Sequence, residues 1–125
     1  MKITNKDQAI HTTKPEGVEV WYYLFPEYEI HYNEQRPHTT QAWHFHEKIH
    51  ESIFVIEGQL EAKWKEGEQE KSQILNAGDL AETQNSDHTF ENKTDQIVKF
   101  LVLKQVLSGE DRSVVLKNDK VNTHV

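Results

Sequence analysis

Apolar positions recur along this chain with a period of two, in short runs broken by Gly, Pro and Asn. Residues two apart on a strand share a face, so this period predicts half-buried β-strands. The clearest case is 59–65, where Leu60, Ala62 and Trp64 face one way and Glu61, Lys63 and Lys65 the other. The β-branched and aromatic run 18–25 predicts a strand with two apolar faces, and Pro26 ends it. A strand over 28–32 and a loop over 33–37 follow. Further strands are expected at 42–46, 51–57, 71–75, 80–83, 88–92, 97–104 and 113–116, joined by turns such as Glu66-Gly67-Glu68 and Asn76-Ala77-Gly78-Asp79. No helical period, internal repeat or low-complexity linker is present. Many short strands at short intervals predict an all-β sandwich or barrel.

With 125 residues the chain is read as one domain. Residues 1–16 form a polar segment, flexible or at a sheet edge; 17–116 form the β-barrel domain; 117–125 form a mobile tail. On 51–57, Glu51, Ile53 and Val55 share the interior face, which leaves Phe54 and Ile56 outside as an apolar stripe that needs cover.

Composition narrows the function classes. The formal net charge of −7 argues against general binding to nucleic acid or anionic membranes. Cysteine is absent, so neither disulfides nor thiolate metal ligands can form, which fits a cytoplasmic protein. The first residues lack the apolar run of a signal peptide, and no apolar segment approaches membrane-spanning length. A Gly-rich phosphate loop, a serine-nucleophile motif and a basic stripe are all missing, which disfavours nucleotide-binding enzymes and nucleophilic hydrolases.

The chemistry concentrates in Trp43–Gly58. His44 and His46 stand two apart, so both imidazoles project from one strand face, where they can share a divalent metal. A tight turn between two antiparallel strands brings Glu51 beside them. His50 points opposite to Glu51 and is read as exposed, outside the ligand set. His11, His31, His38 and His124 are read as surface residues. Asn92 is read as bracing a turn, and Trp64, Phe90, Tyr22 and Tyr32 as core residues or pocket walls. Glu82 is the one further carboxylate considered near the site.

His44, His46, Glu51 and Gly58 resemble the first motif of the cupin superfamily: His-x-His, four residues, Glu, six residues, Gly. The segment from Gly78-Asp79 to His88-Thr89-Phe90-Glu91-Asn92 is similar to the second motif, and together they cover about residues 38–103. The pattern departs at His38, where the first motif usually opens with Gly, at Gln84-Asn85-Ser86, which stands where a Pro-x-Gly turn is usual, and in the spacing from Gly78 to His88, which is one residue shorter than usual. The resemblance implies a small single-domain protein of double-stranded β-helix (jelly-roll) fold. It implies His44, His46, Glu51 and His88 as ligands of one divalent transition metal: Fe, Mn, Ni, Co, Cu or Zn. Such a set leaves two neighbouring positions of an octahedron for water, dioxygen or a chelating small-molecule substrate. It also implies a homodimer. The expected function is a metalloenzyme of dioxygenase or isomerase/lyase type; a non-catalytic metal- or ligand-binding module is the alternative. The feature that separates them is a Glu, Tyr or His poised beside the open metal positions.

Overall fold

The computed structural model describes residues 1–106 and 120–123. Among them are a 3₁₀ turn at Lys6–Gln8 and strands β1 (Ile10–Lys14), β2 (Val18–Leu24), β3 (Tyr28–Gln35), β4 (Thr39–Thr40), β5 (His44–His46), β6 (Ile49–Glu57), β7 (Leu60–Glu66), β8 (Gln69–Leu75), β9 (Leu80–Glu82), β10 (His88–Asn92), β11 (Val98–Val106) and β12 (Lys120–Asn122). The expected strand over 113–116, the loop over 107–112 and His124 lie outside the described residues. No helix among the described residues is long and apolar enough to cross a membrane.

The strands form two antiparallel sheets, as a jelly-roll barrel requires. One runs β1-β2-β3-β11-β6-β9; the other runs β12-β5-β10-β7-β8, with β4 also paired to β10. Inward positions meet between the sheets. Ile53, Val55, Leu60, Ala62, Leu75, Phe90, Val98, Phe100 and Val102 make one continuous apolar core. The alternation on β6 follows the expected facing: Ile53 and Val55 are buried, while Phe54 and Ile56 are 39% and 43% exposed on the outer face. Gly58 ends β6 at φ +90°, a conformation other residues rarely adopt, and a side chain there would press on Val98.

At three places strand pairing outweighs the local composition on which the sequence reading rested. The polar segment 10–14 pairs along β2 as an edge strand, with Ile10 opposite Tyr22 and Lys14 opposite Val18. The predicted loop at 33–37 begins later, because Asn33, Glu34 and Gln35 remain in register with both β2 and β11. In the predicted tail, 120–122 pairs with β5. The outer aromatic face of β2 and β3 is capped from the amino terminus: Lys6 Nζ lies 4.0 Å from the Trp21 ring centroid, and His11 stacks on Trp21 at 4.6 Å.

Asn92 braces the chain as expected. Its side chain is fully buried, and Nδ2 donates to the carbonyls of Gln35 (3.0 Å), Arg36 (3.1 Å) and Gln96 (2.7 Å). Its Oδ1 accepts from Thr94 N and Oγ1 at 2.9 and 2.7 Å. Asn92→Ala removes the partner of these backbone groups; the bond to the Gln35 carbonyl is buried and the others are part-buried. The expected loss is about 2–4 kcal/mol of stability, read as a lower urea midpoint at unchanged slope.

Candidate metal centre

β5 and β10 place three histidines on one sheet. His44 and His46 alternate inward from β5 with Phe45 turned away, and β10 sets His88 directly opposite His44. Glu51 arrives differently from the expected hairpin. β5 and β6 belong to different sheets, so the chain crosses the barrel at Glu47-Lys48 and Glu51 reaches back from the facing sheet. A hairpin would have put the carboxylate beside the rings; the crossover puts it across from them, with the ligand atoms between the layers.

The four side chains converge in the interior, none more than 6% exposed. One ligand atom each from His44, His46 and Glu51 lies within 4.8 Å of the others. Glu51 Oε2 is 3.2 Å from His46 Nε2, and Oε1 is 3.0 Å from His88 Nε2. The His88 ring centroid is 4.5 Å from that of His44 and 6.3 Å from that of His46, and His88 touches Glu51 but stands outside the three-residue group whose ligand atoms all lie within 4.8 Å of one another.

The histidine tautomers bear on what the site holds. His44 Nδ1 lies 2.9 Å from the Ala42 carbonyl and His88 Nδ1 lies 2.7 Å from the Ser86 carbonyl. A carbonyl only accepts, so each Nδ1 donates its proton and, in the neutral ring, each Nε2 keeps a lone pair. His88 Nε2 stands 3.0 Å from Glu51 Oε1, a contact that is favourable only with a proton or a cation between the two atoms. Metal-ligating histidines are held by this kind of bond from the other ring nitrogen to a carbonyl. Burial alone would push the Glu51 carboxyl up, but contacts with His46 and His88 and the charge of Lys104 outweigh it and hold the group well below the usual carboxylate range. Glu51 is therefore ionised. Imidazole nitrogens and a carboxylate in one buried cluster fit a divalent transition metal.

Two of the departures from the cupin pattern fall where the backbone still adopts the conformation that favours glycine. His38 has φ +54°, and Gln84 and Asn85 have φ +50° and +61°. His and Asn tolerate this region better than most residues. Around the shortened turn, Ser86 N donates to Thr83 O at 2.9 Å and Asn85 Nδ2 to Glu47 O at 3.0 Å, which fixes the approach to His88.

Of the other histidines, His50 lies on the opposite face of β6 from Glu51, 31% exposed, with Nε2 3.9 Å from Glu82. Glu82 is itself half exposed, near His50, and lines the same cleft as His88. His50→Ala should leave the metal content of the purified protein unchanged by elemental analysis. A large loss would put His50 in the ligand set. His11 and His38 are exposed, paired with Glu19 and Asp95.

His31 contradicts its reading as a surface residue. It is 4% exposed, and its Nε2 lies 2.5 Å from Glu29 Oε1, itself buried. Glu29, His31, Asn33 and Gln35 alternate along β3 and all face the interior. The signal was present as polar residues two apart, but periodicity alone assigns the polar face to water. Here β3 is covered on its outer side by Lys6 and lies in the middle of its sheet, so its polar face lines the barrel.

Two cavities touch the histidine cluster. A cleft of about 570 Å³ lies between β7, β8 and β9; Trp64, Leu75, Leu80, His88 and Phe90 are among its walls. A recess of about 30 Å³ is lined by His44 and Glu51 together with His31, Asn33, Gln41 and Lys104. Phe90 borders both.

Comparison with known proteins agrees with this architecture. The chain is similar to a sugar phosphate isomerase from Silicibacter pomeroyi, with 20% identity over 83% of this chain and 75% of that one and a TM-score of 0.68. It is similar to the polyketide cyclase RemF from Streptomyces resistomycificus, with 16% identity over 100% and 87% of the two chains and a TM-score of 0.75. It also matches an oxalate decarboxylase from Lactobacillus farciminis at 14% identity and TM-score 0.73, covering 94% of this chain but only 34% of that longer one. At these identities the likeness shows the fold. No curated protein sequence matches the chain. The family model described as the cupin domain matches residues 31–104, more than half the chain and the span from His31 to Lys104 that encloses all four motif residues. By that match, and by the histidines and carboxylate gathered between two jelly-roll sheets, the chain belongs to the cupin superfamily.

Proposed function

We propose that the protein is a metal-dependent enzyme of isomerase or lyase type, acting on a small chelating substrate by proton transfer. His44, His46, Glu51 and His88 would hold the metal. The observation that carries the choice of chemistry is His31, which lines the recess together with His44 and Glu51 and pairs with the buried Glu29. A bound divalent cation supplies Lewis acidity to a coordinated substrate oxygen. Glu29 accepts the Nε2 proton of His31 and so orients the ring, leaving the Nδ1 lone pair as the base. Burial pushes the His31 pKa below its ordinary value against the opposing pull of Glu29, so the imidazole is neutral, and able to take a proton, at neutral pH. Apolar walls formed by Phe90, Phe100 and Val102 keep bulk water from the exchange. That solved structures of this fold include an isomerase, a decarboxylase and a cyclase supports the same direction.

The test begins with elemental analysis of protein purified without added metal. The protein is then incubated in D₂O with a panel of small hydroxy- and oxo-acids, and NMR follows exchange of their C–H protons. Metal-dependent exchange on a panel member is the expected result. Oxygen uptake on the same compounds without exchange would move the assignment to dioxygenase chemistry. Tight binding with neither would favour the non-catalytic module.

A further inference from the structure

We infer that the recess beside the metal ligands takes the carboxylate of an anionic substrate, and that Lys104 is the residue that reads its charge. The inference rests on the proposal of a bound divalent cation and adds the substrate's charge class to it.

Strand register sets the geometry. Lys104 on β11 stands opposite Glu29 on β3 and opposite Glu51 on β6, so an acid, a base and an acid lie in one row across the sheet. The Lys104 side chain points inward and is 16% exposed, and Nζ lies 3.6 Å from Glu51 Oε2. An ammonium group placed this deep is costly unless an anion faces it. Without a metal, Glu51 serves as that anion. With a divalent cation on the histidines, Glu51 gives its charge to the cation. Among the residues lining the recess, one carboxylate (Glu51) then stands against two ammonium groups (Lys14 and Lys104) and the cation, and positive charge is left in excess.

A neutral ligand would leave that excess buried, whereas a carboxylate offsets it. The volume is suitable: about 30 Å³ accommodates about two water-sized groups, the size of the two oxygens of a carboxylate. Asn33 and Gln41 on the same wall add amide groups that can donate to those oxygens.

The experiment uses the protein loaded with Co²⁺, whose visible bands report a new ligand on the metal. Malonate is the anionic probe and imidazole the neutral one, each titrated by absorbance and by calorimetry. Lys104→Met should weaken malonate binding about 10- to 100-fold, the scale of one charge-assisted hydrogen bond. It should leave cobalt stoichiometry and imidazole affinity unchanged, which shows that the variant is folded and its ligands intact. Lys104→Arg should recover most of the malonate affinity. Equal malonate affinity in wild type and Lys104→Met, or an equal loss for imidazole, overturns the assignment of Lys104 while leaving the metal proposal standing. A wild-type protein that takes up no cobalt overturns the metal proposal and this inference with it.

Discussion

Purified His46→Ala protein should carry no stoichiometric metal where the wild type carries about one ion per chain, and added metal should no longer raise its melting temperature. His46 is the most deeply buried of the four candidate ligands, at 1% exposure, and its Nε2 lies 3.2 Å from Glu51. Removing its imidazole leaves Glu51 and two histidines around a gap that the short Ala side chain does not fill. Loss of an outer-shell partner alone costs metal sites about 10- to 100-fold in affinity, and loss of a ligand costs more. A metal that binds only the folded state stabilises it by mass action, about 2.7 kcal/mol at a hundred times the Kd, so the melting shift and the elemental analysis report the same event independently. Full metal retention in this variant would end the assignment.

His31→Gln should retain its metal and lose about 10²- to 10⁴-fold in the rate of substrate C–H exchange, the usual contribution of a positioned general base. Glutamine approximates the size of imidazole and can still donate to Glu29, so the buried pair is not left with an orphaned carboxylate. What it lacks is a basic nitrogen. The readout that separates a base from a packing residue is the pH profile. In the wild type, exchange should fall as acid protonates His31, and because burial lowers this group's pKa, the fall should come below the pH at which an exposed histidine titrates. The variant should lose that acidic limb while keeping its metal. An unchanged rate with an unchanged profile would show that His31 is part of the wall only.

Both predictions depend on residues whose placement the chain reveals to different degrees. His44 and His46 could be assigned to one face because the period of two is a property of the backbone itself, independent of what the strand packs against. The same holds for Glu51 with Ile53 and Val55, and for His88 with Phe90 and Asn92. Those facings recur in the structure, with Phe54 and Ile56 turned outward as expected. His31 shows where that reasoning stops. Periodicity separates two faces of a strand but does not say which one meets water. That depends on neighbours remote in sequence: β2 and β11 on either side of β3, and the capping residue Lys6 outside it.

The amino-acid sequence by itself determined the all-β class, the alternation within the strands and the donor types available to a metal. Covalent spacing and side-chain chemistry are local and need no partner. Only the tertiary structure decided the rest: that the chain crosses between sheets at Glu47-Lys48, that 10–14 and 120–122 are strands, and that the polar face of β3 with Lys104 lines the site. Strand pairing and burial are settled between segments far apart in the chain. A polar side chain is stable inside the barrel only because others arriving there satisfy it, as Glu29 does for His31 and Glu51 for Lys104.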